Sequence, residues 1–90
     1  MKEGEIRKAQ NQALEYCRKH ASLKDHFTSF ALGQEDRTPT SLNGMISAKS
    51  KNEKQSRVIA TYTINYRSKK ISVNIIQEDQ TVLTEDLAVA

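Results

Sequence analysis

The chain of 90 residues holds one cysteine, one proline, three glycines and no tryptophan. A lone Cys17 cannot form an intramolecular disulfide, so the fold must rest on its packed core, and the redox compartment stays undetermined. The three glycines stand apart at positions 4, 33 and 44, which excludes a glycine-rich phosphate loop. No apolar run approaches the roughly 18 residues that span a bilayer, so no membrane insertion by this chain is expected. The start, MKEGEIRKAQNQAL, has no apolar stretch that would act as a signal peptide. Localisation stays unknown on these grounds: exported or membrane-tethered if a leader or anchor was trimmed away, otherwise cytoplasmic.

What the chain does have is charge and two kinds of periodicity. Lysine and arginine total 14 against 11 acidic residues. The balance is uneven, because the only charged residues after Lys70 are Glu78, Asp79, Glu85 and Asp86. A basic body is thus followed by an acidic tail. A chain of this length buries only about 60% of its unfolded surface, which leaves room for one domain over 1–90 with a single helix laid on a single sheet.

From Glu3 to about Ala21, Ile6, Ala9, Ala13, Cys17 and Ala21 recur at helical spacing, with Lys8, Asn11, Glu15 and Lys19 on the opposite side. This predicts an amphipathic helix over 3–21, with Glu3 to Arg7 and Glu15 to Lys19 as i,i+4 pairs. Its buried stripe is mostly Ala and Cys, which lets a helix lie close to a flat sheet. The period then changes. HFTSFAL predicts a strand over 26–32, ended by GQEDRTPTS as a loop. LNGMISA predicts a second strand over 42–48, where Gly44 suggests a bulge or a close backbone approach, and KSKNEKQ a polar loop. The clearest pattern is RVIATYTINYRSKKISVNIIQ, read as strands 57–66 and 70–77 joined by a short basic turn. Pairing Tyr66 with Ile71, Ile64 with Val73 and Tyr62 with Ile75 puts the large apolar residues on one face. Val58, Ala60, Tyr62, Ile64, Tyr66, Ile71, Val73 and Ile75 make the inner face, while Ile59 and Ile76 are the only apolar residues on the outer one. Residues 78–90 add an edge strand at TVLT or form a tail. The expected fold class is α+β: one N-terminal helix packed on a four-stranded antiparallel meander.

A helix reading QALEYCRKHASLKDHF, a loop with Gly33, and a meander ending in ISVNII resemble the cystatin-like α+β roll. More loosely, the order is similar to small membrane-anchored domains of the mitochondrial cytochrome oxidase assembly and import-associated families. The resemblance implies a non-enzymatic domain, often held next to a membrane. The cystatin inhibitory motif Gln-x-Val-x-Gly has no counterpart in KSKNEKQS, so protease inhibition is not carried over. The assembly-type domains usually close with a tryptophan-bearing strand, which this chain does not have.

Chemistry has few candidates. Cys17, His20, Asp25 and His26 can be drawn as a metal site, yet all come from one short stretch, whereas zinc sites combine ligand pairs from separate elements. A thiol nucleophile at Cys17 would sit mid-helix, away from the help of the helix N-terminus. Glu35 and Asp36, like Glu85 and Asp86, are sequence neighbours, which suits solvation better than a positioned acid and base. No enzyme activity, metal or cofactor is expected. Two basic clusters, Lys49, Lys51, Lys54 and Arg57 in one loop and Arg67, Lys69 and Lys70 in the next, could meet phosphates. In a meander they fall at opposite ends of the sheet. The expectation is therefore a non-catalytic domain that binds an unidentified protein through an edge strand, the GQEDRTPTS loop or its polar sheet face of Thr61, Thr63, Asn65, Ser72 and Asn74. Nucleic-acid binding through the two basic clusters is the alternative, and oligomeric state is unknown.

Overall fold

The computed structural model describes residues 1–22 and 24–90. Helix α1, Glu3–His20, begins where the Glu5 carboxylate accepts the Lys2 backbone N–H at 3.2 Å. Glu3 and Glu5 in its first turn, and Arg18, Lys19 and His20 in its last, complement the helix dipole. Ile6, Ala9, Ala13, Cys17 and Ala21 are buried as the spacing requires, and the small stripe brings α1 down onto the sheet. The expected pairs within the helix are not the ones formed. Glu3 turns to Arg37 on the sheet, and Glu15 takes Arg18 one position short of Lys19.

After a short 3-10 turn, Lys24–His26, five strands follow in chain order and in spatial order: β1 Phe27–Arg37, β2 Ser41–Ser50, β3 Arg57–Asn65, β4 Lys70–Ile76 and β5 Val82–Ala88. All neighbours are antiparallel. The architecture is α+β with one helix on one face of a five-stranded sheet, and β5 makes it one strand wider than the four-stranded expectation. The tail of 78–90 joins because Val82 to Ala88 pair with β4 along its whole length.

Three further expectations are corrected. GQEDRTPTS is mostly strand: β1 runs on to Arg37, and only Thr38, Pro39 and Thr40 turn, with the Thr38 hydroxyl accepting the N–H groups of Thr40 at 3.2 Å and Ser41 at 3.0 Å. The β3–β4 register is shifted by two residues, so that Ile64 faces Ile71, Tyr62 faces Val73 and Ala60 faces Ile75. The turn decides this. Asn65 accepts the N–H groups of Arg67 and Ser68 at 3.0 Å each, and Lys69 adopts positive φ, 54°, so Tyr66 belongs to the turn and not to the ladder. A shift of two preserves the faces. Finally, a bulge in β3 opposite Ile46 and Ser47 reverses the residues before it: Ile59 is buried, and Val58 stands 47% exposed on the outer face.

The core between helix and sheet is filled by Leu42, Ile46, Ile64, Ile71, Val73 and Ile75 around the Tyr62 ring. Gly44 marks a close approach, because the Tyr62 ring occupies the space where a side chain at 44 would begin. The phenol thereby reaches the side of the sheet where β1 runs.

Candidate functional site

Helix α1 covers one face of the sheet and leaves the other uncovered. Across that outer face the register aligns Asn43, Thr63, Ser72 and Asp86 in one row, and Met45, Thr61, Asn74 and Thr84 in the next. Thr63 donates to the Asn43 side-chain oxygen at 2.6 Å, and Thr84 to that of Asn74 at 2.9 Å, so the rows are partly knitted together. Of the five residues read from the sequence, Thr61, Thr63, Ser72 and Asn74 lie together in the middle of this face. Asn65 sits at its end, with its carboxamide oxygen committed to the β3–β4 turn.

The outer face also holds apolar residues: Ile76, which the alternation placed there, and Val58 and Val82, which it misplaced or did not assign. Val58 is turned outward by the β3 bulge, Ile76 is 46% exposed, and its cross-strand partner Val82 is 57% exposed. Val58 and Ile76 line one shallow cavity of about 310 Å³ with Phe27, Ile59, Arg57 and Gln77. The signal for Ile76 and Val82 lay in their alternation. Nothing local in RVIATYTIN announces a bulge.

The basic candidates are dispersed. Lys49 ends β2, Lys51 and Lys54 lie in the β2–β3 loop, and Arg57 opens β3 with its guanidinium 5.5 Å from the centre of the Phe27 ring. Arg67, Lys69 and Lys70 lie at the far end of β3, a strand length of about 30 Å away at ~3.3 Å per residue. Lys69 is in addition 3.6 Å from the Glu5 carboxylate. Tyr62 is buried and Tyr66 half-buried, so neither ring is laid open for stacking with bases.

The groups weighed for chemistry are placed apart. Cys17 is buried, and burial pushes its thiol up to about 12, which keeps it protonated at neutral pH. His20 stacks on Tyr16 with ring centres 4.3 Å apart, while Asp25 and His26 lie exposed in the 3-10 turn. Among the described residues, no three His, Cys, Asp or Glu side chains converge as a metal site would require. The most connected polar group is instead one that sequence reading missed. Gln10 is 7% exposed, and its amide donates to the Tyr62 hydroxyl at 3.0 Å and to Glu35 at 3.1 Å. Arg37 continues the chain, donating to Glu35 at 3.2 Å and through two nitrogens to Glu3 at 2.6 and 2.9 Å. The Arg37 hydrogen bonds hold the Glu3 carboxyl below its ordinary value. This network ties α1 to β1 and β3, and every member has a partner, as a structural polar cluster should.

No family model matches the chain, and neither a curated protein nor a solved structure matches it.

Proposed function

We propose that this chain is a non-catalytic interaction domain that binds another protein through the uncovered face of its sheet. The observation that carries the reading is that face itself: a Thr, Asn and Ser field bordered at one end by Val58, Ile76 and Val82, all about half exposed. Half-exposed apolar side chains beside a field of hydrogen-bonding groups offer a partner both apolar contact and polar pairing. The cystatin-like order of helix then meander, and the non-enzymatic role it implies, agree with this reading and belong to the same proposal. A photo-crosslinking residue placed at Thr61 in the cells that make the protein tests it. A defined adduct that is lost with Ile76→Asp, and absent when the probe sits at Asn11 on the solvent side of α1, is the expected result. Equal labelling from both positions overturns it.

The nucleic-acid alternative rests on Lys49, Lys51 and Lys54 standing at the same end of the sheet as Lys24. Amide NMR titration with single-stranded and duplex oligonucleotides, at low and moderate salt, separates the two. A silent spectrum removes nucleic acid. Shifts confined to residues 49–57 or 67–70 that vanish with salt replace the protein-binding reading.

A further inference from the structure

Asn43 and Gly44 stand together on β2, and no other asparagine of the chain precedes a glycine: Asn11, Asn52, Asn65 and Asn74 are followed by Gln12, Glu53, Tyr66 and Ile75. An asparagine so placed carries a reaction within itself. The backbone nitrogen of the next residue can attack the side-chain carboxamide carbon, and glycine offers that approach the least steric hindrance and the widest range of backbone angles. Packing keeps the glycine there, since the Tyr62 ring fills the space where a side chain at 44 would begin. The contact that completes the core therefore leaves a reactive pair in the sheet.

We propose that Asn43 is a site of spontaneous deamidation that the folded sheet holds shut and that opens when edge strand β1 lifts from β2. The Gly44 nitrogen forms a C–N bond to the Asn43 carboxamide carbon, and the side-chain nitrogen leaves as ammonia with the proton of that backbone N–H. The ring that results is a succinimide, which water opens at one carbonyl or the other to give aspartate or isoaspartate. Attack requires the chain at 43 and 44 to turn out of its strand conformation. Neighbours on both sides oppose this: Asn43 pairs with Asp36 on β1 and Thr63 on β3, and Gly44 with Glu35 and Tyr62. The Thr63 hydroxyl also donates to the Asn43 side-chain oxygen at 2.6 Å. On the β3 side the register is regular from Ser41 to Ile46. The β1 side is the weaker hold, because β1 is the edge of the sheet and a bulge between Leu32 and Glu35 interrupts its ladder directly beside Gly44. Local opening of an edge strand precedes global unfolding. Asn43 is exposed on the outer face, so water for the second step is at hand. The product then weakens the hold that kept it from forming. Aspartate at 43 stands directly opposite Asp36, like charge against like charge, and isoaspartate adds a carbon to the backbone of a strand paired on both sides. The new charge also enters the row of Thr63 and Ser72; its effect on a partner rests on the outer-face reading, whereas the conversion itself does not.

Ageing the unmodified chain near neutral pH, folded and in denaturing urea, with peptide mapping by mass spectrometry, tests the proposal. In urea, conversion at Asn43 is expected to outrun that at Asn11, Asn52, Asn65 and Asn74. In the folded chain it is expected to be at least about tenfold slower than in urea, because it waits on an opening. Gln10→Ala, which unties α1 from Glu35 on β1, is expected to raise the folded rate about fivefold and leave the urea rate unchanged. Leu87→Ala on β5 weakens the opposite edge and is expected to raise it less. Asn43→Asp, made directly, is expected to reduce the folding equilibrium constant about two- to fivefold, and adding Asp36→Asn to restore it. Conversion in urea no faster at Asn43 than at the other four overturns the site. Equal rates in the folded and unfolded chain overturn the closure, and equal acceleration by Gln10→Ala and Leu87→Ala overturns opening through β1. An Asn43→Asp chain as stable as its parent overturns the consequence drawn for the strand pair. None of these readouts uses a partner, so failure here and failure of the outer-face reading are separate results.

Discussion

Strands β1 and β5 are both edges of one sheet, yet they are held and guarded in different ways. β1 is tied to the helix from inside, through the buried Gln10 and the Glu35, Arg37 and Glu3 chain, while its outward side is uncharged over eight residues from Phe27 to Gln34. β5 is tied at its end, through the half-buried Gln12 and Ala90, and carries two acidic side chains in its middle. An edge can be anchored without being protected, and protected without being firmly anchored. That difference teaches that holding an edge strand in place and keeping other strands off it are separate tasks.

The largest effect should come from the anchor of β1. Gly44→Ala puts a methyl group where the Tyr62 ring lies, and the overpacking should cost about 1–3 kcal/mol in urea unfolding. In a Tyr62→Val background the same Gly44→Ala change should cost little; a penalty that persists there would clear the ring as its cause. Next come the two glutamines. Gln10→Ala leaves the buried Tyr62 hydroxyl without its donor and should cost about 1–3 kcal/mol, whereas Gln12→Ala at the exposed end of β5 should stay within about 0.5 kcal/mol. Equal costs would erase the contrast between the edges.

Glu85→Val turns the protected edge into an open one. It should leave stability within about 0.5 kcal/mol and add a concentration-dependent association, measured by sedimentation; no change in association would show that Glu85 does not guard this edge. The smallest effect concerns acid. The Glu3 carboxyl is held below its ordinary value of 4.5 by its hydrogen bonds to Arg37, so the folded state binds this proton less readily than the unfolded one. The resulting stabilisation is present above pH 4.5 and is lost as pH falls through the depressed folded value. Both partners are exposed, so solvent screens the pair. Denaturation across this window should show a shallower acid limb in Arg37→Gln, and an unchanged limb would assign it to other carboxylates.

Local pattern carried much of the fold. The helical spacing of Ile6, Ala9, Ala13 and Cys17 and the alternation from Ala60 to Ile64 and from Ile71 to Ile75 place these residues on the buried side, where they are. Such faces are legible because a side chain's direction follows from its position in the period alone. The bulge that exchanges Val58 and Ile59, the turn that claims Tyr66, and the continuation of β1 through GQEDR were not legible. Each depends on what a neighbouring strand or side chain offers, and the sequence of the segment itself does not hold that information.

By itself, then, the amino-acid sequence determined an amphipathic helix with a narrow small-residue face and strands with one apolar side. Only the tertiary structure decided that β5 completes the sheet, that Gln10 is buried against Tyr62, and that β1 is left as an edge strand. Periodicity is a property of a few consecutive residues, whereas edges, bulges and buried polar partners are properties of pairs distant in the chain. Gln10 and Tyr62 meet across 52 positions.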